Sequence, residues 1–176
     1  MAAAYAAYFV DSSGLVKRYV REIGTPWVRR LTRRSPSTVI YIARITMVEV
    51  TSAVARRHKG RTLTSKEASS ILHRFRQHLA GRYTVLEITP ALFDEAMRLA
   101  NTHALRAYDA VQLAVALEIN RKEQDAGFAP VTLLLRRHPR RPLGQPLRGT
   151  GAAPPRRAGI LRRLRQGDSG GAGDSP

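Results

Sequence analysis

The sequence predicts an α/β protein in which helices cover both faces of a parallel sheet. Short apolar segments of strand character alternate along the chain with longer segments in which apolar residues recur at helical spacing. The strand-like segments are apolar at consecutive positions, which is typical of strands buried on both faces. Strands that alternate with helices in this way favour crossover connections and hence a parallel sheet.

The first half of the chain contains two predicted strands and three predicted helices. Residues 7–10 and 38–43 are apolar, and the second of these runs is rich in β-branched residues, which favour strands. Between them, residues 14–24 and 25–34 have apolar side chains at helical spacing. Residues 46–60 form the third predicted helix. Four basic residues near its glycine end would interact favourably with the helix dipole.

The second half continues the alternation. The helix predicted at 64–79 begins with a threonine and a glutamate at capping-box spacing. Residues 83–88 have a strand pattern, and 89–103 a helical one with proline at its first position. Residues 105–117 then form an almost entirely apolar helix, which we expect to be buried. Residues 130–134 are the last predicted strand.

Composition narrows the class of protein and its partners. The chain has 30 Lys and Arg residues against 13 Asp and Glu, a net charge of +17, and such a balance points to a polyanion such as nucleic acid. The absence of cysteine excludes disulfides and thiolate zinc sites and fits a reducing compartment. No segment reaches the roughly 20 apolar residues of a membrane span, and the start lacks the basic region of a signal peptide. We therefore expect a cytoplasmic protein with no membrane partner.

The composition changes abruptly near residue 135. Residues 135–176 hold 10 of the 30 basic residues, 8 of the 13 glycines and 6 of the 10 prolines. Such a segment cannot bury enough apolar surface to offset the entropy of the chain. We therefore divide the sequence into one folded domain, residues 1–134, and a disordered basic tail, residues 135–176.

Three acidic residues share one position relative to the predicted strands. Asp11 directly follows the first strand, Glu49 lies in the first turn of the helix after the second strand, and Asp109 opens the apolar helix before the last strand. Strand ends and helix starts converge at the carboxyl edge of a parallel sheet, where ligands bind. Each acid taken singly is better explained as part of a helix cap, with Thr46 beside Glu49 and Gln112 beside Asp109. Taken together, the three acids favour one shared site.

Acids that meet in a cleft indicate a particular chemistry. Their like charges repel unless a cation relieves the repulsion. Mg²⁺ suits such a site, with Mn²⁺ as an alternative, because both are hard ions that bind carboxylates and water. Beside a phosphodiester such an ion polarises the phosphate and activates water, and surrounding basic residues attract the polyanion. Acids within a basic protein are what a metal-dependent nuclease needs, and Asp11, Glu49 and Asp109 are the candidate metal ligands and catalytic residues.

Four neighbouring residues are candidate substrate ligands. The hydroxyls of Ser12 and Thr46 could orient water or a phosphate, although helix capping is the competing explanation for both. Lys17 and Arg18 could contact RNA phosphates because they follow Asp11 closely in the sequence. The sequence contains no phosphate-binding glycine loop, dinucleotide fingerprint or serine-hydrolase elbow. Nor does a helix-turn-helix pattern support a DNA-binding protein.

Four segments resemble, in their order and spacing, those of PIN domains, and in particular of the VapC-type toxins of bacterial toxin–antitoxin pairs. They are YFVDSSGLVKRY (8–19), ITMVEVTSAVARR (45–57), LRAYDAVQLAVAL (105–117) and PVTLL (130–134). The resemblance implies a three-layer α/β/α sandwich around a parallel sheet. It also implies a Mg²⁺-dependent ribonuclease, commonly a homodimer, that acts on RNA and is inhibited by a VapB-type antitoxin. The first three acids of the family fall on Asp11, Glu49 and Asp109.

The chain departs from the family pattern after residue 134. In PIN domains a fourth acid follows within a few residues, and then a further short strand, but here no acid appears before Asp168. We therefore expect the last strand to be missing. The tail resembles a GC-rich gene read in a shifted frame, and we hypothesise an aberrant C-terminus of this origin. Two functions stay open, a toxin ribonuclease and a PIN-like module that binds antitoxin or RNA without cleaving it.

A first prediction concerns the tail. Deleting residues 136–176 should flatten the dependence of RNA affinity on salt concentration, because ten arginines on a segment rich in Gly and Pro can neutralise phosphates without a fixed shape. Binding of one RNA at several salt concentrations, with the full and the shortened chain side by side, measures the two slopes. Equal slopes would mean that the tail makes no phosphate contacts.

Overall fold

The computed structural model describes residues 5–134, and its helices and strands follow the predicted order. The strands are β1 (Ala6–Val10), β2 (Thr38–Ala43), β3 (Thr84–Leu86) and β4 (Thr132–Leu134). The helices are α1 (Ser12–Tyr19), α2 (Thr25–Leu31), α3 (Ile45–Lys59), α4 (Ser65–Gly81), α5 (Pro90–His103) and α6 (Ala107–Asp125). Each predicted segment corresponds to one element, although several ends differ.

The strands of residues 5–134 form one sheet in the order β3-β2-β1-β4, and each neighbouring pair is parallel. Tyr8 of β1 pairs with Ile40 of β2 on one side and with Thr132 of β4 on the other. Between consecutive strands the chain passes through two helices, because a parallel pair needs a long crossover connection. The prediction of a parallel sheet is confirmed.

Alternate side chains of the strands point to opposite faces of the sheet, and each face packs against different helices. On one face Val10 and Ile42 pack with residues of α1, α3 and α4, among them Phe75. On the other face Phe9 and Tyr41 pack against α6, and α5 packs in turn on α6. Each large apolar side chain buried in this way contributes roughly 1.5–3 kcal/mol. The three-layer α/β/α architecture is confirmed.

Two helices differ from their predicted lengths. α1 ends at Tyr19 instead of reaching residue 24, and Gly24 precedes α2 with a left-handed backbone, φ +91°, which glycine adopts without steric cost. α6 continues past residue 117 because its last turns carry ion pairs. Arg121 pairs there with Glu118 and Asp125, and pairs three and four residues apart favour a helix.

Local start signals near two helices are confirmed. The hydroxyl of Thr64 accepts from the backbone N–H of Glu67 at 3.2 Å, and the Glu67 carboxylate accepts from the backbone N–H of Thr64 at 2.8 Å. This is the predicted capping box. Pro90 is the first residue of α5. In both cases the interacting groups are close in sequence, so the pattern could be recognised without knowledge of the fold.

A buried carboxyl group anchors the end of α6 to the sheet. Glu123 is 7% exposed and accepts hydrogen bonds from the hydroxyl of Tyr41 in β2, at 2.7 Å, and from that of Tyr5, at 2.5 Å. Burial, and then the hydrogen bond to Glu123, raise the pKa of Tyr41, so that this phenol remains a donor. Because burying a polar group is costly unless hydrogen bonds compensate it, the two phenols hold this end of α6 against β2 and against the start of β1.

The chain order creates a crevice at the carboxyl edge of the sheet. The helices that precede β3 pack mainly on one face, and α5 and α6 lie on the other. The strand order reverses at β1, which has β2 on one side and β4 on the other. In open parallel sheets ligands bind outside the carboxyl ends of the strands at such a reversal. Asp11 lies there, and its backbone N–H donates to the carbonyl of Leu134 at 3.2 Å.

Several predictions fall outside the described residues. These are the disorder of residues 135–176, the missing last strand and the frameshifted origin of the tail. Within residues 5–134 the sheet ends at β4 on one side. No helix in this same part of the chain is long and apolar enough to cross a bilayer.

Candidate active site

Asp11 lies at the end of β1 and caps α1. Its side chain is largely buried, with the residue 9% exposed. Oδ1 accepts from the backbone N–H of Gly14 at 2.7 Å, and the hydroxyl of Ser13 donates to the carboxylate at 2.8–2.9 Å. The capping explanation is therefore correct for Asp11. It does not compete with a role in a site, because the cap also fixes the direction of a carboxylate at the point where the strand order reverses.

Glu49 lies one turn into α3 and is half-buried. Its Oε2 accepts from Nε2 of Gln112 at 2.6 Å. Burial raises the pKa of Glu49 above its usual value, and hydrogen bonds from Gln112 and Ser12 oppose this rise. The negative charges of Asp11 and Asp109 raise the pKa of Glu49 further. Asp11 and Asp109 therefore both lie within electrostatic reach of Glu49.

Asp109 is exposed, and the expectation that it is buried with the rest of its helix is wrong. It occupies the first turn of α6, whereas Ala110, Val111 and Gln112 after it are buried. The apolar face of α6 turns toward the sheet and α5, and Asp109 faces away from that core. Its charge consequently stays in contact with water. No compensating partner is needed to explain a carboxylate at this position.

Gln112 is the residue of this edge whose role the sequence did not indicate. It is 3% exposed, and its Nε2 donates both to Glu49 and, at 2.9 Å, to the hydroxyl of the fully buried Thr46. The predicted capping boxes at these residues are wrong. α3 begins at Ile45 after an N-cap without a side-chain bond, and α6 begins at Ala107. The polar side chains instead join α3 to α6 across the crevice. In the sequence, the sign of this role is a glutamine within an otherwise apolar helical run.

One acceptor of this cluster has no partner within the described residues. Oε1 of Gln112 is buried and makes no hydrogen bond. The amide cannot turn round without loss, because a carboxylate only accepts and Nε2 must face Glu49. A buried acceptor without a donor costs about 1–3 kcal/mol. An unmet acceptor therefore lies next to the contact between Gln112 and Glu49.

Residues 5–134 contain no group of three His, Cys, Asp or Glu side chains close enough together to hold a metal ion. The three acids share one electrostatic environment without forming a closed chelate. Their chemistry nevertheless fits Mg²⁺, which prefers oxygen ligands, keeps several waters and often binds only one or two carboxylates together with substrate phosphates. Asp11, Glu49 and Asp109 carry oxygen donors of the type that Mg²⁺ binds, and their role as metal ligands stays a prediction.

The structure separates the four candidate substrate ligands into two pairs. Ser12 and Thr46 lie at the crevice, where they contact Glu49 and Gln112 respectively. Lys17 and Arg18 lie at the other end of α1, about 10 Å along its axis from Asp11 at 1.5 Å per residue. Arg18 donates there to the carbonyl of Thr32 at 2.9 Å. A role in substrate binding stays a prediction for all four.

A cavity of about 660 Å³ lies elsewhere, between α5, α6 and the end of β3. Its lining includes Leu92, Val115 and Ile119 but none of the three acids. We place the candidate site at the acids, because they carry groups capable of chemistry and stand where the strand order reverses. An open crevice also suits a polymer, which needs no enclosed pocket.

Comparison with known proteins agrees with this geometry. The family model of the PIN domain matches residues 8–125. The chain belongs to the PIN domain family. The match lies inside the predicted domain at residues 1–134, although the division between domain and tail stays a prediction. No curated protein matches the chain in sequence.

Solved structures with a similar fold include two from bacterial toxin–antitoxin systems. The toxin VapC20 of Mycobacterium tuberculosis, which cleaves the sarcin–ricin loop, is 18% identical, with a TM-score of 0.50 over 69% of this chain and 85% of that one. A toxin–antitoxin complex from Klebsiella pneumoniae is also 18% identical, with a TM-score of 0.47 over 74% of this chain and 87% of that one. At this identity the likeness to VapC20 shows a shared PIN fold.

The raised pKa of Glu49 leads to a prediction about stability. The folded protein binds this proton more tightly than the unfolded chain, so the stability it contributes is present at low pH and is lost as the pH rises through the folded-state pKa. At neutral pH Glu49→Gln should therefore raise the melting temperature in EDTA, by a few degrees at most. At a pH below the usual pKa of a carboxyl group, Glu49 is protonated in both the folded and the unfolded chain, and the gain should disappear.

The matched control is Glu118→Gln on α6. The hydrogen bond with Arg121 lowers the pKa of Glu118, so removing this charge should not stabilise the protein at neutral pH. Melting curves of the three proteins between pH 4 and pH 8 make the comparison. If Glu49→Gln is less stable than the parent at neutral pH, burial and the neighbouring acids do not oppose the charge of Glu49.

Proposed function

We propose that this PIN domain protein is a Mg²⁺-dependent endoribonuclease, the toxin of a toxin–antitoxin pair. The observation that carries the proposal is the shared electrostatic environment of Asp11, Glu49 and Asp109 at the crevice where the strand order reverses. Membership of the PIN family supports it, as does the fold shared with VapC20, itself a toxin that cleaves RNA. The proposed partners are an RNA substrate, a VapB-type antitoxin and a second copy of the chain.

The residues of the crevice have separate tasks in this proposal. Asp11 and Asp109 would hold the cation, with the ionised carboxylate of Glu49 as third ligand. When bound, Mg²⁺ (or Mn²⁺) supplies polarisation of the scissile phosphate and a lowered pKa for water. Ser12 would hydrogen-bond the same carboxylate from the α1 side, while Gln112 holds it from the α6 side. These two contacts keep the Glu49 side chain at the crevice.

The surrounding fold favours both the acids and an anionic substrate. α1, α3 and α6 all begin at this edge, so the positive ends of three helix dipoles point at it. They stabilise ionised carboxylates by roughly 0.3–1 kcal/mol each at exposed positions. The net charge of +17 attracts RNA over a longer range, to a degree that salt screens. The helix dipoles and the net positive charge would therefore allow a polyanion to approach the acids, which on their own would repel it.

A second function is favoured by one specific observation. Within residues 5–134 no three acidic or histidine side chains form a closed metal-binding group, and the sequence has no further acid between residue 134 and Asp168. A PIN-like module that binds antitoxin or RNA without cleaving it would need no such group. One measurement distinguishes the two functions. A ribonuclease of the proposed kind cleaves RNA in Mg²⁺ and stops in EDTA, whereas a binding module cleaves RNA in neither.

Replacing Asp109 tests the cleavage proposal. Asp109→Asn should reduce Mg²⁺-dependent RNA cleavage by about 100-fold or more, since metal-assisted charge stabilisation is worth several kcal/mol and each 1.4 kcal/mol is tenfold. The control is Asp125→Asn, at the other end of the same helix and about 24 Å away along its axis. Equal loss in both variants, or none in either, would remove Asp109 from the site. A parent protein that binds RNA but never cleaves it in Mg²⁺ would favour the binding module.

Asp11 allows its two tasks to be separated. Asn is as good an N-cap as Asp, so Asp11→Asn should keep the melting temperature near that of the parent while cleavage falls by about 100-fold. Asp11→Ala should lose activity and also about 1 kcal/mol of stability, the usual contribution of a cap. Denaturation and cleavage assays on both variants check this. An active Asp11→Asn would mean that Asp11 only caps α1.

A further inference from the structure

A second polar cluster lies at the opposite end of α1 from Asp11. A pocket of about 180 Å³ is lined by Arg18 and Tyr19 from the last turn of α1, Arg29 of α2, and Arg74 and His78 of α4. Behind it, the hydroxyl of Tyr19 is hydrogen-bonded to Nδ1 of His78, at 2.8 Å, and to the buried hydroxyl of Tyr83, at 2.7 Å. The pocket therefore has a rigid hydrogen-bonded floor and a wall of guanidinium groups.

The positive charges of this pocket have no acidic partner. Within residues 5–134 the ion pairs involve other basic residues, and none includes Arg18, Arg29, Arg74 or the adjacent Arg82. Burial first, and then the charges of Arg18, Arg82 and Arg74, lower the pKa of His78 to about 4. The guanidinium groups of Arg18, Arg74 and Arg82 thus all act on the ring of His78. Within residues 5–134 no ion pair with a carboxylate offsets their charge.

A structural role explains only part of this arrangement. Arg18 and Arg82 both donate to the carbonyl of Thr32, at 2.9 and 3.0 Å, and Arg29 donates to the carbonyl of Arg18 at 3.0 Å. These bonds satisfy carbonyls at helix ends, as basic residues commonly do. They use few of the five donors of each guanidinium group. Nε of Arg18 is buried with no acceptor in the described part of the chain.

Arg74 has no structural role of this kind. It is exposed, and its side chain makes no hydrogen bond or ion pair within residues 5–134, yet it lines the pocket. Its charge also acts on His78. Because Arg74 is exposed, water screens its repulsion from the other guanidinium groups, and its donors stay available to an anion at the pocket.

We propose that this pocket is a binding site for a phosphate group, separate from the acidic crevice at the other edge of the sheet. A phosphate monoester carries up to two negative charges and three acceptor oxygens, and guanidinium forks match it. The volume of the pocket agrees with a ligand of this size, because pockets for drug-sized ligands span roughly 300–1,000 Å³ and this pocket is smaller. It suits one phosphate group and not a whole nucleotide. The phosphate belongs either to RNA or to a free small molecule.

The experiment measures binding of inorganic phosphate to the full chain by calorimetry, in EDTA so that no metal draws phosphate to the acids. Arg74→Gln should weaken binding about tenfold, which is the usual size of one charge-assisted hydrogen bond. Arg76→Gln is the matched control: it lies on the same helix, is also exposed and does not line the pocket. It should bind phosphate as the parent does. Equal weakening in both variants, or no saturable binding by the parent, overturns the proposal.

The pKa of His78, followed through its ring signals, gives a second readout. A change in the total charge of the protein alone would not make this pKa respond to phosphate. Bound phosphate offsets the neighbouring positive charges, so the pKa of His78 should rise from its low value when phosphate is added. The rise should shrink in Arg74→Gln and persist in Arg76→Gln. A His78 pKa that does not respond to saturating phosphate would place the bound ion elsewhere and overturn the proposal.

Competition separates the two sources of the phosphate. All proteins in this experiment carry Asp109→Asn. If RNA displaces inorganic phosphate from the unchanged pocket, and does so less when Arg74→Gln is added, RNA is the ligand. Phosphate binding that RNA does not disturb identifies a free small phosphate. A glutamate-rich peptide is the third arm. If the peptide saturates the pocket and phosphate does not, the site recognises carboxylates and the proposal fails. None of these outcomes depends on whether the acidic crevice cleaves RNA.

Discussion

Parallel pairing places β1 between β2 and β4, and the position of Asp11 follows from this placement. Its backbone N–H bonds the carbonyl of Leu134, and its carboxylate caps the helix that begins at the next residue. Gly14 completes the arrangement. A Cβ at that position would lie 3.1 Å from Val10, 3.3 Å from Asp11 and 3.4 Å from the Leu134 carbonyl. The close approach of strand, cap and neighbouring strand favours glycine there, because a Cβ would require these neighbours to move by a few tenths of an ångström.

The same topology distributes charge between the two ends of the sheet. The helices that open with Asp11 and Asp109 begin at the carboxyl edge, and the helices that end beside Arg18 and Arg82 end at the amino edge, so positive helix ends meet the acids and negative ends meet the arginines. Asp11 and Asp109 stand at helix starts, whereas Arg18 lies in the last turn of α1 and Arg82 follows α4 directly. Opposite chemistry at the two edges therefore agrees with the dipoles of the fold. It needs no long-range ion pairing between the edges.

The order of elements could be predicted because it depends on local patterns of apolar residues. The acids could be placed at one edge for a similar reason, since each follows a strand or opens a helix. Which side chains meet across α3 and α6 could not be predicted. Gln112 and Glu49 are 63 residues apart, and their contact depends on how two helices pack. The exposure of Asp109 depends likewise on the rotation of α6 about its axis, which an almost wholly apolar run does not specify.

The contact between Gln112 and Glu49 also shows how stability and function oppose each other in the crevice. An apolar residue at 112 would remove the unmet acceptor, but it would also remove one of the donors to Glu49, leaving that of Ser12, and raise the pKa of Glu49 further. Gln112 instead helps to keep the carboxylate ionised in a half-buried position between two other acids. The folded protein therefore holds a charge that opposes its own stability, and a bound cation would relieve the cost. Ligand binding that requires the deprotonated carboxylate is coupled to proton release, so the metal binding proposed for these acids would depend on the same proton equilibrium that sets the stability contribution of Glu49.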